Sequence, residues 1–113
     1  MNYILDSAGN PVRCDDVIAW AKWFGTADRT VERTNVGNVQ VSTVFLGIDH
    51  NWGAGLPVLW ETMVFGGPRD QEQERYISKA DADAGHRRWA SLVEADAKAN
   101  ENDRYIELED DDG

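Results

Sequence analysis

The chain reads as one two-layer α+β domain, an antiparallel β-meander of about four to five strands with two helices on one face. Three observations predict it. Two segments, residues 15–25 and 78–98, repeat apolar residues at helical spacing. Between them, residues 30–34, 39–46, 58–65 and 72–77 have the length and alternation of strands, and turn residues separate them. With a short β-prone run at the start, the order is β-α-β-β-β-β-α, for which a meander is the economical arrangement.

Taken in order, Tyr3-Ile4-Leu5 is the first strand, closed by the turn-rich Asp6-Ser7-Ala8-Gly9-Asn10-Pro11. In the first helix, Asp15 and Asp16 suit the opening turn, Val17, Trp20, Ala21 and Phe24 recur on one face, and Gly25 is placed to end it. Ile18 widens that face, whereas Trp23 falls off it and is expected to be exposed or to make a second contact. Asn35-Val36-Gly37-Asn38 supplies a tight turn. The next segment, Val39-Gln40-Val41-Ser42-Thr43-Val44-Phe45-Leu46, starts amphipathic and becomes apolar on both faces, as a central strand does. In residues 58–65, Leu59, Glu61, Met63 and Phe65 share one face, and Trp60, Thr62 and Val64 the other. Glu72 to Ile77 is polar enough for a charged edge strand. Ser78-Lys79-Ala80-Asp81 matches a helix-capping pattern, and the stripe of the helix that follows is Ala82, His86, Trp89 and Val93, with Leu92 beside it. Domain limits of 1–98 follow, with an acidic tail at 99–113 whose composition predicts disorder.

Charge excludes some functions. The 113 residues carry a net −10. Residues 101–113 hold seven acids and one base, a net −6, which leaves −4 for the rest. No Lys/Arg cluster suits a phosphate backbone, so direct nucleic-acid binding is not expected. No apolar run approaches the roughly 18–20 residues of a membrane span. The opening MNYILDSAG has neither a basic region nor a long apolar core, so no secretory signal is expected. The single cysteine, Cys14, reads as a reduced thiol, and the expected location is the cytoplasm. An acidic chain favours partners with basic surfaces.

The polar residues that draw interest are Asp49, His50 and Asn51 in the 47–57 loop, Glu61 on the returning strand and His86 on the second helix. The loop is longer than most hairpin connections, and long loops often bind something. Were the helices to cover the Leu59/Met63/Phe65 face, Glu61 would point at His86. That pair admits three readings: a buried polar contact that sets helix–sheet register, a small-molecule or metal site with His50 and Asp49, or a general acid–base pair. No sequence motif of a nucleophile, phosphate loop or metal centre supports the last two, and no cofactor or metal is assigned. Trp23 and Trp52, if exposed, are candidate interface anchors.

The segments ILD-x-x-GNPV, D-x-x-x-WAKWF, VSTVFLGIDHNWG, ETMVFGG and ERY, with AGH in the last helix, resemble a family of small proteins of bacteriophages, prophages and mobile elements. IDHNWG and ETMVFGG are the most specific, and the resemblance spans roughly residues 3–90. It implies a context, an accessory protein in a phage-infected or lysogenic cytoplasm, rather than a reaction. The expectation is a non-enzymatic protein that binds and occludes a host or phage protein, an anti-defence inhibitor of the anti-CRISPR kind being the narrower form. The alternative is a ligand- or metal-binding domain or cryptic hydrolase around His50, Glu61 and His86. A homodimer is compatible with either.

Overall fold

A computed structural model describes residues 1–51 and 53–111, with side chains described through Asn100. The chain opens with β1 (Tyr3–Leu5) and β2 (Pro11–Arg13), an antiparallel hairpin pairing Ile4 with Val12. β2 is an addition to the expected order: three exposed residues give no alternation to detect. Asp6 holds the turn between them, its Oδ1 accepting from the Ala8 and Asn10 amides, both at 2.9 Å.

α1 (Val17–Thr26) follows. Asp16 is its N-cap rather than a first-turn residue, and its Oδ1 accepts from the Ile18 and Ala19 amides at 3.0 and 3.1 Å. The helix runs past Gly25, and Thr26 Oγ1 donates back to the Lys22 carbonyl at 2.9 Å. Its buried face also differs from the expected one. Trp20, Trp23 and Phe24 turn inward, while Val17 and Ile18 are exposed. Trp23 meets Phe45 edge-on with centroids 5.9 Å apart, which is the second contact of the two alternatives the sequence left open. Nearly every position of this helix is apolar, and the aromatic rings, which remove the most area from water, take the inner face. Trp20 Nε1 donates to the Tyr3 and Gly47 carbonyls at 3.2 and 3.0 Å, tying α1 to the hairpin and to the main sheet.

The main sheet is β3 (Thr30–Val36), β4 (Val39–Phe45), β5 (Trp60–Phe65) and β6 (Gln73–Tyr76), antiparallel and in sequence order. Gly37, at φ +58°, takes the first central position of the two-residue β3–β4 turn, where a hairpin wants positive φ. α2 (Lys79–Asp111) then lies across β3, β4, β5 and β6. Ser78 caps it as expected, accepting from the Asp81 amide at 3.1 Å. The backbone of α2 includes most of the acidic segment, whose side chains lie outside the described residues.

Register decides which side of the sheet meets the helices. Val41 pairs with Val64, Thr43 with Thr62, and Phe45 with Trp60, and all six are buried. Both helices lie on this face: Trp23 of α1 and Ala82 of α2 join one cluster with Phe45, Leu59, Trp60 and Tyr76. Val93 of α2 joins Val41 and Val64 in another. The two-layer α+β expectation holds. The covered face of β5 is that of Trp60, Thr62 and Val64, however, so Glu61, Met63 and Phe65 lie on the opposite side.

Candidate functional site

The structure does not bring the expected polar residues together. Glu61 is on the face away from α2, paired across strands with Arg75, whose Nε lies 2.8 Å from Glu61 Oε2. His86 is on the other side of the sheet and 1% exposed. The expected Glu61–His86 contact is therefore absent, for the register reason given above.

The 47–57 loop braces itself. Asp49 Oδ1 accepts from the Asn51 and Val58 amides, both at 2.8 Å. Those two backbone hydrogen bonds hold the Asp49 carboxyl below its usual range, Asn51 first and Val58 second. Asn51 Nδ2 donates to the Leu56 carbonyl at 3.0 Å, and its Oδ1 accepts from the Gly53 amide at 3.1 Å. The His50 amide donates to the Val58 carbonyl at 3.0 Å, and the residue is partly exposed. Asp49 and Asn51 thus act as turn-fixing side chains. Trp52 lies outside the described residues.

What sequence reasoning missed is a chain of hydrogen bonds across the covered face. Tyr76 Oη donates to Thr62 Oγ1 at 3.0 Å. Thr62 and Thr43 share a hydroxyl–hydroxyl bond of 2.5 Å. Thr43 Oγ1 lies 2.7 Å from His86 Nδ1, and His86 Nε2 lies 2.8 Å from Thr34 Oγ1. The chain crosses from β6 to β3 and divides the two apolar clusters, since Thr43 lies between Val41 and Phe45, and Thr62 between Trp60 and Val64. Among the described residues no buried side-chain polar atom lacks a partner. The signals in the sequence were His86 on the apolar stripe of the second helix and threonine at inward strand positions, the latter explained equally well by strand propensity.

One direction of donation follows if each hydroxyl donates once. Tyr76 donates to Thr62, Thr62 to Thr43, Thr43 to Nδ1 of His86, and Nε2–H of His86 to Thr34. This assigns a neutral imidazole protonated on Nε2. Burial lowers the His86 pKa from its usual 6.5, against the opposing pull of the Glu32 and Asp83 carboxylates. Glu32 Oε2 is 3.8 Å from Nε2 at the open end of the chain. A second proton on Nδ1 would confront the Thr43 hydroxyl and reverse every bond back to Tyr76. Burial likewise raises the Tyr76 phenol.

No described element packs against the other sheet face. It carries Val44, Met63 and Phe65, the last 45% exposed; the Val44 row runs through Glu61 to Arg75, the Met63 row from Arg33 to Gln73, and the Phe65 row through Gln40 to Asn35. Among the described residues no group of three His, Cys, Asp or Glu is arranged to hold a metal ion, and no helix is long and apolar enough to cross a membrane. Comparisons with protein-family models, curated proteins and solved structures gave no match.

Proposed function

We propose that the chain is a non-enzymatic binding protein that occludes a protein partner through the uncovered face of its sheet. The observation that supports this reading is the Val44–Met63–Phe65 patch, bordered by Arg33, Arg75 and glutamines and covered by no described element. Methionine, phenylalanine and arginine are the residue types that interfaces favour. The polar side chains that could have served a reaction are engaged elsewhere, His86 in the hydroxyl chain, Asp49 in its loop and Glu61 with Arg75. The occupant in this reading is a protein with an apolar patch for this face and basic surface away from it, since Arg33 and Arg75 border the patch itself. The net charge of −10 steers its approach, and the apolar patch supplies short-range contact. The phage resemblance sets the context, a host or phage protein in the cytoplasm of an infected or lysogenic cell, with inhibition of a host defence as the narrower form.

The test is affinity capture from infected or lysogenic cells with three baits: wild type, Phe65→Glu, and Ile18→Glu as a control on the exposed side of α1. The expected result is one stoichiometric protein held by wild type and the control and lost by Phe65→Glu, with all baits folded by circular dichroism. Equal capture by all three, or capture of nothing stoichiometric, overturns the proposal. Affinity that stays constant across a salt series removes its electrostatic part.

A further inference from the structure

β6 ends the main sheet, and no strand lies beyond it among the described residues. Leu59, just ahead of β5, and Val64 within it donate from their amides to the Tyr76 and Glu72 carbonyls at 3.1 and 3.0 Å. The even-numbered residues of this segment therefore turn their main-chain groups toward β5. By alternation the amides and carbonyls of Gln73 and Arg75 point outward, away from any described strand. Beside β6, α2 borders an open groove of about 750 Å3, with Glu74, Arg87, Arg88, Trp89 and Leu92 around it. Leu92 is 42% exposed. Arg88 bonds Glu74 at 2.6 Å, and Arg87 is in no ion pair among the described residues.

These features select an occupant. Outward amides and carbonyls are matched by an extended chain rather than by a helix, whose own main chain is already bonded. A second copy of β6 is a poor match. Two-fold antiparallel pairing of the strand with itself sets Glu74 opposite Glu74 when centred there, and Arg75 opposite Arg75 when centred there. Centred on Gln73, it sets Glu74 opposite Glu72. Each register brings like charges face to face, which is destabilising. A foreign strand would instead meet Leu92 on its α2 side, with two arginines against the single carboxylate of Glu74. That surface suits apolar side chains at alternate positions with a carboxylate among them.

We infer that the β6 edge takes an extended segment of another protein as an added strand of the main sheet, its α2-side residues apolar on Leu92 and acidic toward Arg87 and Arg88. The edge is a different surface from the uncovered sheet face and does not depend on that face's having a partner.

Selection of the full chain against a random library of displayed linear peptides tests it, with synthetic copies of the recovered peptides measured by fluorescence anisotropy. The expected peptides combine alternate apolar residues with a carboxylate. Leu92→Glu and Arg88→Glu, both at exposed positions and checked for folding by circular dichroism, are each expected to weaken them about tenfold or more. Phe65→Glu is expected to leave them unchanged. Methylating the peptide nitrogens one at a time should abolish binding at every second position only, because alternate amides of an added strand face β6. Hydrogen exchange at the Gln73 and Arg75 amides should slow in the complex. Recovery of no peptide overturns the inference, as does a set of peptides without carboxylates or indifferent to either groove substitution. Methylation that matters at consecutive positions marks a docked helix, and methylation that matters nowhere marks side-chain binding alone; both overturn it. Peptides lost by Phe65→Glu and by neither groove substitution place binding on the uncovered sheet face and equally overturn it.

Discussion

Replacing Thr43 by valine keeps the shape of a fully buried side chain and deletes only the hydroxyl that joins Thr62 to His86. Two groups are stranded. Thr62 Oγ1 loses its acceptor and His86 Nδ1 loses its donor, and both residues are shut off from water. Each of the two unsatisfied buried groups costs about 1–3 kcal/mol, and the added methyl returns a little under 1 kcal/mol, so the net loss is about 1–5 kcal/mol. Thr43→Ser makes the opposite change, keeping the hydroxyl and removing a methyl, for about 1 kcal/mol. Simple hydrophobicity ranks valine above serine at this position, whereas the hydrogen-bond chain ranks serine above valine. Urea unfolding followed by tryptophan fluorescence gives both values, provided the slopes with denaturant agree. A Thr43→Val protein within about 1 kcal/mol of wild type, or more stable than Thr43→Ser, refutes the claim that the chain is an energetic unit.

Three other perturbations have defined outcomes. His86 has a lowered pKa in the folded state, so its contribution is complete above pH 6.5 and is lost as pH falls through the folded value. Stability is expected to drop by up to about 1.4 kcal/mol per pH unit below pH 6.5, and denaturant titrations of His86→Gln should lack that slope. Asp49→Ala removes the acceptor of two loop amides and is expected to cost about 1–2 kcal/mol at pH 7. Because the folded pKa of Asp49 is lowered, the difference from wild type should fade in the same titration as pH falls through that value, and a pH-independent difference would show that the carboxylate charge is irrelevant. Gly85→Ala raises helix propensity by about 1 kcal/mol, yet a Cβ there runs into the Tyr76 ring, and overpacking of that kind costs about 1–3 kcal/mol. Thermal unfolding should show Gly85→Ala destabilised in the wild-type background and less so beside Tyr76→Ala.

The sequence made the helices and the strand order legible because each has a local cause. Ser78 announces the start of α2, and Ala82, His86, Trp89 and Val93 fall on one helical face whatever lies beneath. The covered side of β5 was not legible, because both of its faces are mixed. Leu59, Met63 and Phe65 compete with Trp60, Thr62 and Val64, and alternation alone cannot rank them. Pairing with β4 decides the matter, since Val41 and Phe45 have to face the helices and carry Val64 and Trp60 with them. Trp23 was left between exposure and a second contact for a related reason: in a ten-residue helix apolar nearly all round, the wheel has no clear minimum, and ring packing on Phe45 settles its orientation. The self-braced loop was half legible, as Asp49 and Asn51 are turn formers, but their partners Val58 and Leu56 are set by the fold. The hydroxyl chain could not be read at all, because it exists only once Thr34, Thr43, Thr62, Tyr76 and His86 are juxtaposed from four strands and a helix.

That chain also explains why the two sides of the sheet differ so sharply. An apolar layer tolerates sliding, because valine on valine is much the same one residue along; a row of directional bonds does not. With Thr43 and Thr62 paired across β4 and β5 and His86 seated on Thr43, a shift of α2 by one turn would strand the imidazole and the two hydroxyls that bond it, Thr34 and Thr43. Gly85, one residue before His86, adds steric selection, since only a glycine lets Tyr76 lie against the helix at that level. Hydrogen bonding and shape therefore fix α2 at one register. A fixed α2 in turn fixes the line of Arg87, Arg88 and Leu92 on its outer side and leaves Val44, Met63 and Phe65 on the far side of the sheet. The buried polar residues thereby hold both outward surfaces in place while touching neither.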